Sequence, residues 1–330
     1  MVDKELLYGT LKKYFGYDSF REGQEELITN TLQGKDVLGI MPTSGGKSLC
    51  YQLPALLLDG MTIVVSPLVS LMKDQVDSLR EMGIAAAYLN STLSREEFLQ
   101  LMDDMRSGQL KLLYIAPERI DNESFMNALR FVNVPLLVVD EAHCISQWGS
   151  DFRPSYQGVA RLYDVFGRRP RVAAFTATAT EPVQDDIMIQ LRLQQPFRLV
   201  TGFDRSNLAF SVEKPADKFK FLVKDLNPKE ASIIYCSTRK NVESVQKKLE
   251  QKGFAVTLYH AGLPEHERQR NQDDFLFDRK PIMVATNAFG MGIDKSNVRT
   301  VYHYNMPKNI ESYYQEAGRA GRDGEEARVI

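Results

Sequence analysis

Short apolar runs alternate with longer amphipathic segments along most of this chain, and that alternation constrains the fold more than any other feature. The runs are apolar on both faces, which is typical of buried parallel strands. We predict strands at residues 37–40, 62–66, 110–115, 136–140, 172–176, 232–236, 256–260, 282–286 and 300–304. Helical spacing occupies residues 21–32, 68–82, 95–107, 183–191, 241–252 and 265–275. The pattern predicts an α/β fold with mostly parallel sheets flanked by helices.

The alternation pauses once, near residues 200–215, where Gly, Asp, Asn and Pro residues cluster. A chain of 330 residues is long for a single core and suits two domains. We therefore place a linker in that segment and predict tandem domains at residues 1–203 and 204–330. Another strand-like run begins at residues 327–330, so we expect the second domain to be truncated and the chain to be a fragment.

Composition excludes several classes of protein. Hydrophobic residues make up 43% and charged residues 25%, as in ordinary globular domains. We find no apolar run long enough to span a membrane and no secretion signal, so we expect a cytoplasmic protein, nucleoid-associated if bacterial. The three cysteines lie far apart, which predicts a reducing compartment and no zinc in this span. Because the net charge is −2, any nucleic-acid surface must be locally basic.

A phosphate loop is predicted at residues 41–48 (MPTSGGKS), directly after the first strand. Lys47 would reach the β- and γ-phosphates of ATP, and the Ser48 hydroxyl would ligate Mg²⁺. The backbone N–H groups that would face the phosphates belong to Thr43, Ser44, Gly45 and Gly46. The match to G-x-x-x-x-G-K-[ST] is incomplete, because Met41 replaces the first glycine. Taken alone, the motif does not exclude an ordinary helix start, because many Gly-Lys-Ser triplets are found there.

Two carboxylates, Asp140 and Glu141, follow the apolar run at residues 136–139. Burying them side by side would be costly, but facing a magnesium-bound polyphosphate makes them favourable. We expect Asp140 to hold the metal and Glu141 to orient or deprotonate the attacking water. The alternative is a solvated strand end, which the upstream Lys47 makes a poorer interpretation.

Two arginines, Arg319 and Arg322, stand three residues apart near the end of the chain, so one helical turn would place them on one face. Guanidinium groups suit the charge that develops on a transferred phosphate. When this pair is considered alone, a solvent-exposed basic turn is the better interpretation.

Six segments together resemble the RecQ family of DNA helicases, within helicase superfamily 2. They are residues 15–24 (FGYDSFREGQ), 66–75 (SPLVSLMKDQ), 140–154 (DEAHCISQWGSDFRP), 175–180 (FTATAT), 285–295 (ATNAFGMGIDK) and 315–322 (QEAGRAGR). In the order of the chain they are similar to the adenine motif, motif Ia, the DEAH box with its aromatic-rich loop, and motifs III, V and VI. The resemblance implies two tandem RecA-like domains, with ATP in a cleft and a DNA strand across both.

The resemblance also implies roles at the nucleotide. Tyr17 and Arg21 would sandwich the adenine, and Gln24 would hydrogen-bond its edge. Arg322 is the expected arginine finger, and Arg319 would pair with a phosphate or with a carboxylate of the first domain. His143 lacks a second ligand at metal spacing, so we expect it to hydrogen-bond motif III through Thr176 and Thr178.

Candidate nucleic-acid contacts occur in both halves. Trp148, the only tryptophan, lies with Phe152 and Arg153 in a loop whose polar residues argue against simple burial. Stacking on a DNA base is the function implied by the resemblance, and the alternative is that these aromatic side chains plug the sheet edge. Further residues that follow predicted strands suit phosphate contacts, namely Thr238, Arg239, Thr286 and Asn287. For Arg239, a solvated helix start is an equally good interpretation.

The sequence departs from the family pattern at two places. Ser44 stands where a glycine is usual, and it would weaken nucleotide binding only if the backbone there needs a positive φ. The chain also stops before the family's zinc-binding and winged-helix regions.

The resemblance implies an ATP-dependent helicase that moves 3′→5′ on single-stranded DNA and unwinds partly duplex DNA in recombination, repair and the SOS response. We expect a monomeric core without a membrane partner. The alternatives are a catalytically weak nucleic-acid-binding module and an RNA-dependent ATPase. Intact Lys47, Asp140, Glu141 and Arg322 argue against the first, and Trp148 in its loop argues against the second.

Overall fold

A computed structural model describes residues 3–42, 45–89, 93–149, 151–202, 205–289 and 295–330, with Ser70 by its backbone alone. The chain forms two compact units, Met1–Phe203 and Asp204–Ile330. Each contains a parallel sheet flanked by helices, which confirms the predicted fold class. Among the described residues, no helix has the length and apolar character that a membrane crossing requires.

The first unit is built on a seven-stranded sheet in the order β3-β4-β2-β5-β6-β1-β7. Its strands are β1 (Val37–Ile40), β2 (Thr62–Val65), β3 (Ala86–Leu89), β4 (Leu112–Ile115), β5 (Leu136–Val139), β6 (Arg171–Thr176) and β7 (Phe197–Val200). Neighbouring strands run parallel throughout. Their carboxyl ends therefore share one edge of the sheet.

Helices cover both faces of this sheet. They are α1 (Lys4–Thr10), α2 (Gln24–Leu32), α3 (Leu49–Leu57), α4 (Val69–Glu81), α5 (Arg95–Arg106), α6 (Glu123–Leu129) and α7 (Glu181–Gln190). Short 3-10 segments lie at Pro117–Asp121, Ala142–Ile145 and Pro154–Asp164, and a π-helical turn lies at Leu11–Phe15. Local sequence sets some boundaries: α5 begins at a capping box in which Ser94 and Glu97 bond each other's backbone N–H.

The core of the first unit lies on both sides of the sheet, as the doubly apolar strands predict. Alternate residues of β5 divide between two hydrophobic clusters, with Leu137 and Val139 in one and Leu136 and Val138 in the other. All four side chains are fully buried. Burial of this kind stabilises the strands and fixes which residues point beyond their carboxyl ends.

The second unit has a six-stranded sheet in the order β10-β11-β9-β12-β13-β8. Its strands are β8 (Leu208–Phe210), β9 (Ala231–Tyr235), β10 (Val256–Tyr259), β11 (Ile282–Ala285), β12 (Val298–His303) and β13 (Ala327–Val329). Neighbouring strands again run parallel. Its helices are α8 (Lys218–Asp225), α9 (Arg239–Gln251), α10 (Glu265–Leu276) and α11 (Ile310–Ala317).

The strand prediction missed three strands that have weak apolar patterns. Strand β3 is rich in alanine, which has low strand propensity, and β7 is a half-exposed edge strand. Strand β8 lies inside the segment predicted as a linker, and its last two residues are exposed. Strands β7 and β8 are edge strands with exposed residues, so their sequences carry little of the hydrophobic signal used for prediction.

Candidate nucleotide and nucleic-acid sites

Three of the predicted motifs follow neighbouring strands β5, β6 and β1 of the first unit. Strand β6 pairs with both of the others, with Ala174 opposite Val139 and Thr176 opposite Ile40. Just beyond β1, the Met41 N–H donates to the Thr176 carbonyl at 3.0 Å. The described residues of the phosphate loop (41, 42 and 45–48), the DEAH box (residues 140–143) and the end of β6 therefore lie at one edge of the sheet. Open α/β sheets bind their ligands at this edge.

In the described part of the phosphate loop, Gly46 occupies a position that leaves no room for a side chain. Gly46 has φ +70°, and a Cβ at this position would lie 2.5 Å from Gln24 Nε2. Lys47 is buried, with its Nζ 3.3 Å from the Met41 carbonyl oxygen. Thr43 and Ser44 lie outside the described residues, so the effect of Ser44 stays a prediction. Gly46 shows why a glycine precedes the lysine here.

Gln24 contacts the phosphate loop, a position that sequence reasoning missed. Its Oε1 accepts the Arg21 N–H at 2.8 Å, and its Nε2 lies 3.2 Å from the Gly45 carbonyl and 3.1 Å from the Gly46 carbonyl. The side chain is buried, whereas Tyr17 is 55% exposed and Arg21 is also exposed. The structure thus places Gln24 as a brace between the adenine motif and the loop. No local sequence signal specifies this long-range contact.

The two carboxylates at the end of β5 occupy an unusual electrostatic environment. Burial and the negative charge of Glu141 raise the pKa of Asp140 to about 7, while Lys47 and the Glu141 N–H oppose this shift. That N–H donates to Asp140 Oδ1 at 2.9 Å. Glu141 adopts φ 48°, a left-handed conformation that is uncommon for residues other than glycine. Such strain is found where a side chain must be aimed at a site.

His143 joins the DEAH box to the end of β6. Its Nδ1 lies 2.8 Å from Thr176 Oγ1, and that hydroxyl donates to the Thr178 carbonyl at 3.2 Å. The same nitrogen lies 3.4 Å from Glu141 Oε2, a buried oxygen without a hydrogen bond from any residue that the structure describes. Burial lowers the pKa of His143, which favours the neutral ring. Thr178 takes part through its backbone and not through its hydroxyl.

The residues at this edge fit a magnesium-bound nucleotide. Mg²⁺ prefers oxygen ligands and is commonly held by one or two protein groups together with phosphates and water. Ser48 and Asp140 supply a hydroxyl and a buried carboxylate, and Asp140 lies next to a second carboxylate, Glu141. A divalent cation would offset the negative charge of this pair. Lys47 adds the positive charge that phosphate binding requires.

In the described part of the aromatic-rich loop, residues 144–149 and 151–154, the tryptophan is exposed. Trp148 is 79% exposed, so the alternative that it plugs the sheet edge is wrong, while Phe152 is half-buried. Arg153 fastens the loop by donating from Nη1 to the Pro67 carbonyl at 3.0 Å and from Nη2 to Asp151 Oδ2 at 2.9 Å. The loop therefore has a fixed base and a large aromatic ring open to solvent.

The candidate contacts of the second unit follow β9 and β11, which are paired strands. Thr238 caps α9 by accepting the Asn241 N–H at 3.2 Å. The Arg239 guanidinium lies against Gly262, where an added Cβ would approach its Nη1 to 2.8 Å. Thr286 is buried and Asn287 is exposed. These residues lie on one sheet edge, and of this group Thr238, Arg239 and Asn287 are exposed.

The motif VI segment, residues 315–322, begins in α11 and ends in a turn. Arg319 is only 8% exposed, and its side chain hydrogen-bonds the hydroxyl of Tyr235. A solvent-exposed basic turn is therefore wrong for Arg319, while Arg322 is half-buried. Gly321 has φ +55°, and its carbonyl accepts hydrogen bonds from the side chains of Arg205 and Asn207. Sequence reasoning missed these anchors, which come from more than 110 residues upstream.

This fold and these motifs define a class. The DEAD/DEAH box helicase family model matches residues 21–186, and the helicase conserved C-terminal domain model matches residues 217–324. The chain belongs to the DEAD/DEAH box helicase family. The resemblance to RecQ helicases is confirmed by 50% identity over 317 residues to the ATP-dependent DNA helicase RecQ of Bacillus subtilis, covering 95% of this chain and 54% of that protein. RecQ of Haemophilus influenzae is 46% identical over 333 residues, covering 100% of this chain and 54% of that protein.

The curated relatives are longer than this chain, which spans about half the length of the RecQ proteins it matches. Among solved structures, the helicase MrfA bound to DNA superposes with a TM-score of 0.81 at 20% identity, covering 99% of this chain and 50% of that one. Mss116p bound to single-stranded RNA and AMP-PNP superposes with a TM-score of 0.79 at 20% identity, covering 100% of this chain and 72% of that one. At such identities these likenesses show the fold alone.

Proposed function

We propose that this chain is the motor core of an ATP-dependent DNA helicase. It binds single-stranded DNA, moves along it 3′→5′ and unwinds partly duplex DNA in recombination and repair. The observation that carries the proposal is the pair formed by buried Asp140 and half-buried Glu141 beside Lys47, linked to β6 through His143. DNA as the nucleic acid is supported by the names of the RecQ relatives. The first unit is then the ATP-binding domain and the second the C-terminal helicase domain.

The first unit supplies the residues for hydrolysis. Lys47 and the Gly45–Gly46 backbone bind phosphates, and Ser48 and Asp140 hold Mg²⁺. When bound, Mg²⁺ neutralises charge on the phosphates. Glu141 orients the attacking water and accepts its proton, because its Oε2 has no hydrogen bond among the described residues and is therefore available as an acceptor. The His143 ring lies beside that carboxylate, with Nδ1 3.4 Å from Oε2.

The second unit supplies Arg322, which we assign to the charge that develops on the transferred phosphate. Arg319 is assigned a supporting role because its guanidinium is buried against Tyr235. Exposed Trp148 stacks on a base, and Asn287 and Arg239 contact the DNA backbone. Because these contacts read no base edges, the core binds DNA without strong sequence preference. We expect this activity in the cytoplasm, associated with the nucleoid if the chain is bacterial, in a monomeric core with no zinc in this span.

The test is ATP hydrolysis with no nucleic acid, with single-stranded DNA and with single-stranded RNA, using Lys47→Ala as the inactive control. DNA-stimulated hydrolysis that is lost in the control supports the proposal. Equal stimulation by RNA would instead favour an RNA-dependent ATPase, and DNA binding without hydrolysis would favour a binding module. Duplexes with a 3′ or a 5′ single-stranded tail then report polarity, since a 3′→5′ motor separates only the former.

The same assay with Ser44→Gly settles the departure in the phosphate loop. Activity that is equal in both proteins makes Ser44 neutral. Activity that appears only with glycine shows that serine strains the loop.

A further inference from the structure

Tyr235, the last residue of β9, has a hydroxyl that contacts two functional segments. The ring is almost fully buried, and the hydroxyl donates to the Phe289 carbonyl at 2.9 Å. The same hydroxyl accepts a hydrogen bond from the Arg319 side chain. Phe289 belongs to the motif V segment (residues 285–295), and Arg319 belongs to the motif VI segment. One hydroxyl thus uses its donor on one segment and an acceptor position on the other.

The motif V side of this contact is a compact turn. The Phe289 N–H donates to the Thr286 carbonyl at 2.9 Å, and the Ala288 N–H lies 3.4 Å from Thr286 Oγ1. Phe289 is buried, and its ring packs on Phe275 at 5.7 Å between centroids. Residues 286–289 are therefore held as one piece, so a shift at Thr286 would carry the Phe289 carbonyl with it.

The motif VI side is equally restrained. The His303 ring stacks on Tyr235 at 5.9 Å and packs against Tyr313 of α11 at 4.7 Å. Its Nε2 lies 3.1 Å from Glu316 Oε2, one turn of chain before Arg319. His303 therefore holds both the tyrosine ring and the helix that leads to the arginines.

We propose that Tyr235 is a positioning residue whose hydroxyl fixes motif V relative to motif VI, so that DNA contact near Thr286 and Asn287 sets the placement of Arg319 and Arg322. The inference rests on the proposed function, in which these segments serve DNA binding and hydrolysis respectively. A tyrosine that merely filled the core would need only its ring, and phenylalanine would serve equally well. Here both partners of the hydroxyl are functional segments distant in sequence.

The experiment compares Tyr235→Phe with Tyr302→Phe. Tyr302 is the matched control, since it is also buried in the second unit and its hydroxyl donates to Asp225 Oδ2 at 2.7 Å, away from both motifs. For each variant and the unmodified chain we would measure kcat and KM for ATP with saturating single-stranded DNA, and the Kd for that DNA. Amide hydrogen exchange across residues 286–289 and 316–322 is measured in parallel.

We expect Tyr235→Phe to lower the DNA-stimulated kcat by roughly 10- to 100-fold, the loss typical of a slightly misplaced catalytic group, with KM and the DNA Kd unchanged. Amide hydrogen exchange should become faster in residues 286–289 and 316–322 and not elsewhere. Tyr302→Phe should change neither kcat nor these exchange rates. Equal kcat in the two variants, or faster exchange spread over the whole second unit, would overturn the inference. If the unmodified chain shows no DNA-stimulated hydrolysis, the proposed function fails, and the exchange data alone decide whether Tyr235 joins the segments.

Discussion

Replacing Gln24 by alanine distinguishes two roles for this side chain. The family resemblance assigns Gln24 to the adenine edge, whereas the structure shows its amide bonded to Gly45, Gly46 and the Arg21 backbone. If Gln24 only recognises adenine, its replacement should weaken binding of ATP and leave binding of GTP unchanged. If Gln24 braces the phosphate loop, its replacement should weaken binding of every nucleoside triphosphate alike, because the loop contacts only phosphates.

The contacts set the expected magnitude. Gln24 makes three hydrogen bonds, each worth about 1 kcal/mol net. Water can replace some of them, so we expect a cost of roughly 1.5–3 kcal/mol in ordering the loop. At about 1.4 kcal/mol per factor of ten, that corresponds to a loss of roughly 10- to 100-fold in affinity.

The assay is equilibrium binding of ATP and GTP to the unmodified chain, to Gln24→Ala and to Gln33→Ala. Gln33 follows the same helix and is exposed, so its replacement controls for changes in α2. We expect parallel losses for both nucleotides in Gln24→Ala alone. A loss confined to ATP would refute the brace and restore Gln24 to the adenine edge.

Three further substitutions test the remaining geometry. Trp148→Ala should weaken binding of single-stranded DNA by about 1–3 kcal/mol in a titration, without shifting the melting temperature, because the ring is exposed. His143→Ala removes the contacts to Glu141 and Thr176, so kcat for ATP should fall roughly 10-fold or more while nucleotide affinity holds; an unchanged kcat would contradict that role. Asp36→Ala leaves the Val172 and Gln194 N–H groups and the partly exposed Arg169 guanidinium without their acceptor, which should cost about 2–4 kcal/mol in denaturant unfolding. A loss below about 1 kcal/mol would show that water replaces the carboxylate.

The fold was predictable because its central strands are buried on both faces. Residues 136–139 are continuously apolar, so sequence alone placed β5 and the carboxylates after it. Parallel strands then dictated that Lys47, Asp140 and Thr176 share an edge. Local physics is sufficient for such predictions, since each depends on residues close in sequence.

Long-range contacts were not predictable in this way. Gln24 reaches a loop more than 20 residues away, and Arg319 lies on Tyr235 at the end of a strand more than 80 residues upstream. The positive φ of Glu141 also has no local sequence signal, because glycine is the residue usually found in the left-handed conformation. These features depend on packing between distant elements, and they determine how the side chains of the candidate site are oriented.

In the sheet of the second unit, the first strand in the chain pairs with the last. Strand β8 pairs with β13, residue Leu208 opposite Ala327, so the earliest strand of this unit has its partner more than 115 residues later. During synthesis from the N-terminus, β8 must wait unpaired until β13 has been made, because pairing follows the order of the sheet and not of the chain. Contacts this distant in sequence slow folding. The first unit can therefore reach its native state while the second is still an incomplete sheet on the ribosome.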